Sequence, residues 1–382
     1  MQMSKFMTPE IIFGQQAISQ TGESLVRLGA TRVFLVSDPG VVNAGWVEQV
    51  IHYLKASGLD YSLWTEVTPN PKDYEVHAGV VAYRDCGCNA ILGVGGGSAI
   101  DATKAIALLG TNGGSIHQYE GVDKITRPLP PMVMVPTTAG AGSEISQFSI
   151  IGDTARKVKM TIISKSLIPD IAIIDPQTLT TKDKRLTANT GMDALTHAIE
   201  SYISLAATPL TEVLSLQAMR LISQYLRPSA ASQYNAEAKQ AMAMASLQAG
   251  IAFSNAILGA VHAMSHQLGG LLDLPHGEVN AILLPYVLEY NYIAAPERYK
   301  NIAEALGENT AGLSLHDSSR LALKAVKDLA RDLDIPESLA SLGLLPEHID
   351  LLSSHAVLDV CMATNPRDMT VQDVISIFHK AL

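Results

Sequence analysis

Cysteine is scarce, with three in 382 residues: Cys86, Cys88 and Cys361. They form no disulfide framework, and Cys86 and Cys88 stand too close together for a zinc knuckle. A reducing cytoplasm is the expected setting. Positive charge is in deficit, 27 Lys and Arg against 37 Asp and Glu, for a net charge of −10. That balance argues against a sequence-independent grip on nucleic-acid phosphates and gives no attraction to anionic lipid. No apolar run reaches the roughly 20 residues of a membrane span. The opening "MQMSKFMTPEIIFG" lacks the long apolar stretch of a signal peptide. Low-complexity runs and internal repeats are also missing. What is left is a soluble globular chain, 47% hydrophobic and 17% charged, long enough that two domains are expected.

Periodicity divides the chain. The first half alternates short β-branched runs with amphipathic stretches: strand "RVFLVSD" (32–38), helix "GWVEQVIHYLKASG" (45–58), strand "YSLWTEV" (61–67), turn "TPNP" (68–71) and helix "YEVHAGVVAYRDCG" (74–87). "AILGVGGGS" (90–98) enters a glycine-rich turn before helix "AIDATKAIALLG" (99–110), and further apolar runs lie at 132–144 and 170–176. Strands separated by helices predict right-handed crossovers and a mainly parallel sheet. These runs are apolar throughout, as strands covered on both faces should be. After the polar "TTKDKRLTANTG" (180–191) the pattern is helical to the end. The expectation is a Rossmann-like α/β domain over 1–184 and an all-α domain over 185–382.

Histidine is concentrated in that second half. Of 11 His, His262, His266 and His276 crowd into "VHAMSHQLGGLLDLPHGEVN" (261–280) among Ala, Met, Leu and Gly. Upstream, "GMDALTHAIESY" (191–202) sets Asp193 and His197 four apart, on one helix face. Taken singly, each could be a satisfied core or capping histidine. Together, Asp193, His197, His262 and His276 supply one carboxylate and three imidazoles, a set suited to Fe²⁺ or Zn²⁺ and ill-suited to Mg²⁺ or Ca²⁺. Without thiolates it favours a catalytic over a structural site. His266, one turn past His262, would lie beside the metal without having to bind it.

The first half carries a candidate dinucleotide site. In "GVGGGSAID" (93–101), Gly96, Gly97 and Ser98 follow a strand and open a helix, where backbone N–H groups and the helix N-terminus favour a pyrophosphate. Asp101 closes the motif. Ser98 replaces the last glycine of the common fingerprint, so a ligand-free tight turn fits as well. Asp38 ends a strand and could accept from an adenosine ribose, pointing to NAD over NADP, or could simply start the "DPG" turn. "VPTTAGAGSE" (135–144) is a second small-residue loop after a strand.

"GMDALTHAIE", "GGGSAID", "PTTAGAGSE" and "GAVHAMSHQLGGLLDLPHGEVNAILLP" resemble signatures of the iron-containing (group III) alcohol dehydrogenases, from about Phe13 through "TNPR" (364–367). The resemblance implies a dehydroquinate synthase-like architecture, an NAD-binding α/β domain and a helical domain with the active site in the cleft between. It implies metal ligands Asp193, His197, His262 and His276, and His266 as a non-ligating active-site histidine. For NAD it implies Asp38, Asn70, Gly97, Ser98, Thr137, Thr138, Lys159 and Leu179. Phe253 and Cys361 match substrate-pocket positions. Two departures show: Ser265 stands where many members have Ala, and Ala141 where Thr is commoner.

The implied activity is metal-dependent, NAD-linked interconversion of primary alcohols or small diols with aldehydes, with Fe²⁺ as the expected metal and Zn²⁺ possible, and His266 relaying the alcohol proton. A homo-oligomer, a dimer or larger, is expected. Two rival activities share the architecture, a zinc-dependent glycerol-type dehydrogenase and a dehydroquinate synthase-like lyase. A third reading is a non-catalytic scaffold binding NAD and metal. A lyase would give no net NADH with simple alcohols, and a scaffold would bind without turnover.

Overall fold

In this computed structural model, which describes residues 5–382, the apolar runs of the first half become strands. They are β1 (Glu10–Phe13), β2 (Arg32–Val36), β3 (Asp60–Trp64), β4 (Ala90–Gly95), β5 (Gly121–Val122), β6 (Met132–Pro136), β7 (Phe148–Asp153), β8 (Val158–Ile163) and β9 (Ile171–Ile174). Six form one sheet in the order β1-β9-β6-β4-β2-β3, every pair parallel. Helices α1 (Thr21–Arg27), α2 (Pro39–Asn43), α3 (Trp46–Ala56), α4 (Asp73–Asp85) and α5 (Gly97–Asn112) belong to the same half. Alternate residues of one strand serve opposite layers. Phe34 and Val36 pack with residues of α4 and α5, while Val33 and Leu35 pack with residues of α1 and α3. Both layers are apolar, which is why the runs show no alternation.

The strand order reverses between β2 and β4: β3 lies beyond β2 on one side, and β6 and β9 beyond β4 on the other. Open α/β sheets bind ligands outside the carboxyl ends of strands at such a switch point. Here those ends carry Asp38, two residues past β2, and the Gly95–Ser98 turn after β4.

A three-stranded sheet, β5-β8-β7, was not legible from the helix-separated pattern. Its β7 and β8 pair antiparallel. Asp153 closes their turn by accepting from the N–H groups of Ala155 and Arg156, and Lys157 takes a left-handed φ of 56°.

The second half is helical: α6 (Lys184–Ile203), α7 (Pro209–Ala231), α8 (Ala236–Ala256), α9 (Ala260–Leu272), α10 (His276–Asn291), α11 (Pro296–Ala305), α12 (Leu315–Asp332), α13 (Ile349–Ala356) and α14 (Val371–Ala381). Side-chain caps from Asp183, Thr208, Asn235, Ser314 and Thr370 start five of them. Helix α6 lies against α7, α8 and α10. Two glycines set its distances: a Cβ at Gly191 would collide with Leu226 of α7, and one at Gly277 of α10 with the Asn189 carbonyl of α6. The chain divides into two compact units, one of residues up to Thr138 with Gly142–Thr181, the other of Ala139–Ala141 with Lys182–Leu382. Among the described residues no single helix is long and apolar enough to cross a membrane.

Candidate active site

In the helical unit, α6, α9 and α10 bring the predicted ligands together. Asp193, His262 and His276 each offer an atom within 4.8 Å of the others. Asp193 Oδ1 lies 3.8 Å from both His197 Nε2 and His262 Nε2. The His197 and His262 rings stack with centroids 4.7 Å apart. All are buried except His276, which is half-buried.

The far nitrogen of each proposed histidine ligand is taken. His197 Nδ1 donates to the Gly140 carbonyl at 3.0 Å, His262 Nδ1 lies 2.6 Å from Glu200 Oε2, and His276 Nδ1 lies 2.9 Å from Ser265 Oγ. This pattern fixes ring orientation and directs each Nε2 inward. Burial, and after it His197 alongside, holds His262 well below the usual imidazole range, so it is neutral and keeps a lone pair. Asp193, His262 and His276 as one cluster, with His197 joined to it through Asp193, give one carboxylate and three imidazoles, a set that fits a divalent first-row ion.

Asn280, one turn beyond His276 on α10, was not singled out from the sequence. Its Nδ2 donates to Asp193 Oδ1 at 2.7 Å and lies 3.2 Å from Nε2 of both His262 and His276. Its Oδ1 is buried without a partner. Glu200 was also missed. Burial pushes its carboxyl up to about 7, against the pull of the Val261 and Gly259 N–H groups. Both were findable by helix register: Glu200 continues the Asp193–His197 face and Asn280 the His276 face.

His266 holds a different partner. Its Nδ1 lies 2.9 Å from Asp359 Oδ2, and its ring stacks on His276 at 5.5 Å. Burial pushes the Asp359 carboxyl up, but His266 and the Cys361 N–H outweigh it and the net shift is downward. Nothing local in the sequence ties Asp359 to a histidine 93 positions earlier. Of the expected pocket residues, Phe253 stacks on His197 at 4.4 Å, and Cys361 is buried beside Asp359 and His266.

In the α/β unit, Asp38 starts the turn its sequence suggested and borders the glycine loop. Oδ1 caps α2 by accepting from the Val41 N–H at 3.0 Å, while Oδ2 faces the glycine turn, 3.3 Å from where a Cβ on Gly95 would sit. A Cβ on Gly95 would also come 2.6 Å from Ala99, and one on Gly96 3.3 Å from Thr138. Gly97 and Ser98 begin α5 with no side-chain cap, so that helix's first N–H groups have no capping side chain. Ser98 Oγ accepts from the Asn70 N–H at 3.2 Å, and Lys159 Nζ donates to Asn70 Oδ1 at 2.7 Å. Thr137 Oγ1 is buried and unpartnered. A backbone cradle, an anion-favouring helix start and an orphaned hydroxyl fit a dinucleotide.

Asp101 and Leu179 are placed differently. Asp101 accepts from the Ile150 N–H, tying α5 to β7, and burial pushes its carboxyl up to about 6 against the pull of Lys104. Leu179 is buried in the 3₁₀ turn Pro176–Thr181.

The sequence profile described as iron-containing alcohol dehydrogenase matches residues 8–176, and that of the Fe-containing alcohol dehydrogenase C-terminal domain matches 187–382. The chain belongs to the iron-containing alcohol dehydrogenase family. It is 43% identical over 382 residues to the 1,3-propanediol dehydrogenase of Klebsiella pneumoniae, with 99% of each chain covered. It is 41% identical over 377 residues to the NAD-dependent methanol dehydrogenase of Bacillus methanolicus, again covering 99% of each. A solved alcohol dehydrogenase from Oenococcus oeni superposes with a TM-score of 0.97 at 40% identity over the full length of both. The dehydrogenase thus has the expected α/β-plus-helical architecture, and its class is NAD-dependent, iron-containing oxidation of alcohols and reduction of aldehydes.

Proposed function

We propose that this dehydrogenase acts on short primary alcohols or small diols, with Asp193, His197, His262 and His276 holding the metal and His266 moving the alcohol proton. In this reading residues 1–184 hold NAD and 185–382 hold the metal. The observation that carries it is the inward Nε2 of three histidines whose Nδ1 atoms are already engaged. The substrates named for the relatives, methanol and 1,3-propanediol, support the substrate class.

When bound, Fe²⁺ supplies a Lewis acid for the alcohol oxygen. NAD⁺, when bound, would supply the hydride acceptor for the carbinol carbon. The chain's own residues do the rest. With Nδ1 held by Asp359, His266 has Nε2 available to take the alcohol proton and later release it. Phe253 walls the His197 side against water. Gly96, Gly97 and Ser98 bring backbone N–H groups to the pyrophosphate, with Asp38, Asn70, Thr137, Thr138 and Lys159 as further contacts and Asp101 and Leu179 supporting them. Three free thiols and an acidic balance accord with a cytoplasmic enzyme without nucleic-acid or membrane partners, and a dimer or larger is part of the same proposal.

The test is metal analysis of anaerobically purified protein together with NAD⁺ reduction on a panel of C2–C4 alcohols and diols. One iron per chain with chelator-sensitive turnover is expected. Stoichiometric zinc with turnover would change the metal and keep the mechanism. Bound metal and NAD without turnover would overturn the reading.

A further inference from the structure

The three histidine ligands are backed by three different groups: a backbone carbonyl, a hydroxyl and a carboxylate. Only His262 has the carboxylate, Glu200, and that pair is fully buried. Glu200 sits on α6 one turn past His197, so a single helix face carries Asp193, His197 and Glu200. Its two oxygens have separate tasks. Oε1 accepts from the Val261 N–H at 2.7 Å, closing the start of α9, which has no side-chain cap of its own. Oε2 meets His262 Nδ1 at 2.6 Å. Gly259 makes room for this arrangement, since a Cβ there would stand 2.9 Å from Glu200 Oε1.

We propose that Glu200 is a positioning residue that locks His262 in the Nδ1–H form, keeping its Nε2 lone pair for the metal. This rests on the ligand set proposed above. A carboxylate only accepts, so the proton on His262 goes to Nδ1 and the ligand atom stays free.

Glutamine at this position cannot serve both oxygens' tasks. With its amide nitrogen toward His262, it forces the proton onto Nε2 and removes the ligand. With the amide turned, its nitrogen opposes the Val261 N–H and the start of α9 frays. A purely structural role for Glu200 would show only in stability of the metal-free protein.

The decisive experiment measures Co²⁺ and Zn²⁺ affinity by chelator competition in the full chain, for wild type, Glu200→Gln, Ser265→Ala and His262→Ala, alongside thermal unfolding without metal. Expected is a loss of about 10- to 100-fold for Glu200→Gln, a smaller loss for Ser265→Ala and no stoichiometric binding for His262→Ala. Wild-type affinity in Glu200→Gln, with His262→Ala still losing the metal, overturns the role of Glu200. Wild-type affinity in His262→Ala overturns instead the ligand set beneath it. If Glu200→Gln does not fold, ¹⁵N-histidine spectra of the zinc-loaded wild type decide. One strongly deshielded imidazole N–H, protected from exchange and missing in His262→Ala, is expected, and its absence overturns the proposal.

Discussion

The α/β unit and the helical unit each carry a candidate site, and they are made from different material. At the switch point between β2 and β4 the contacts on offer are mostly backbone: three glycines, the first turn of α5, and hydroxyls such as Thr137 that await a partner. In the helical unit nearly every contact is a side chain, already aimed and already braced: Gly140 behind His197, Glu200 behind His262, Ser265 behind His276, Asp359 behind His266. Flexible anions such as pyrophosphate are met by adaptable, small-residue backbone. A metal demands fixed atoms at fixed distances, and those come only from side chains held by a second ring of hydrogen bonds.

The comparison breaks most sharply at the ligands. Asp193→Ala or His276→Ala should remove metal and turnover together, a fall of about 10³-fold or more given the several kcal/mol a Lewis acid supplies. NAD binding, followed by nicotinamide fluorescence, should persist in both. If either variant keeps a full metal complement, the division of labour is wrong.

Next in size is His266→Ala. The loss of a positioned proton carrier predicts a fall in kcat of about 10²-fold or more. Metal content should be unchanged, since His266 Nδ1 is committed to Asp359 and not to the ligand cluster. Loss of metal in that variant would move His266 into the ligand set.

The mirror experiment in the α/β unit is Gly95→Ala. Its Cβ would come 2.6 Å from Ala99, pushing the turn open where N–H groups must converge. KM for NAD⁺ should rise about tenfold while metal content stays at wild-type level. Equal damage to both would mean that the two sites are not separable.

The smallest effect belongs to Asp38→Ala. Losing the cap on α2 should cost about 1 kcal/mol of stability in denaturant titration. Losing the Oδ2 that faces Gly95 should also weaken preference for NAD⁺ over NADP⁺. A stability loss with unchanged preference would assign Asp38 to the turn alone.

Much of this was legible because helices have a period. Asp193 and His197 at a spacing of four, and His262 and His266 likewise, announce shared faces before any fold is known. The same rule extended by one turn reaches Glu200 and Asn280, which share those faces. Asp359 is another matter. It meets His266 only because the segment after α13 returns to α9, and no periodicity spans that distance. The β7–β8 ribbon escaped for a third reason, since a pattern read as strands between helices has no place for two strands joined by the short polar turn at Asp153–Lys157.

By itself the sequence determined the kind of chemistry. A carboxylate and three imidazoles on apolar helices select a borderline divalent cation, and buried β-branched runs separated by helices select a parallel sheet, because ligand type and periodicity are properties of the chain. Only the tertiary structure decided which nitrogen of each histidine faces inward. That choice depends on the acceptor standing behind the ring, and Gly140, Glu200, Ser265 and Asp359 come to their places through helix packing, which local sequence does not encode.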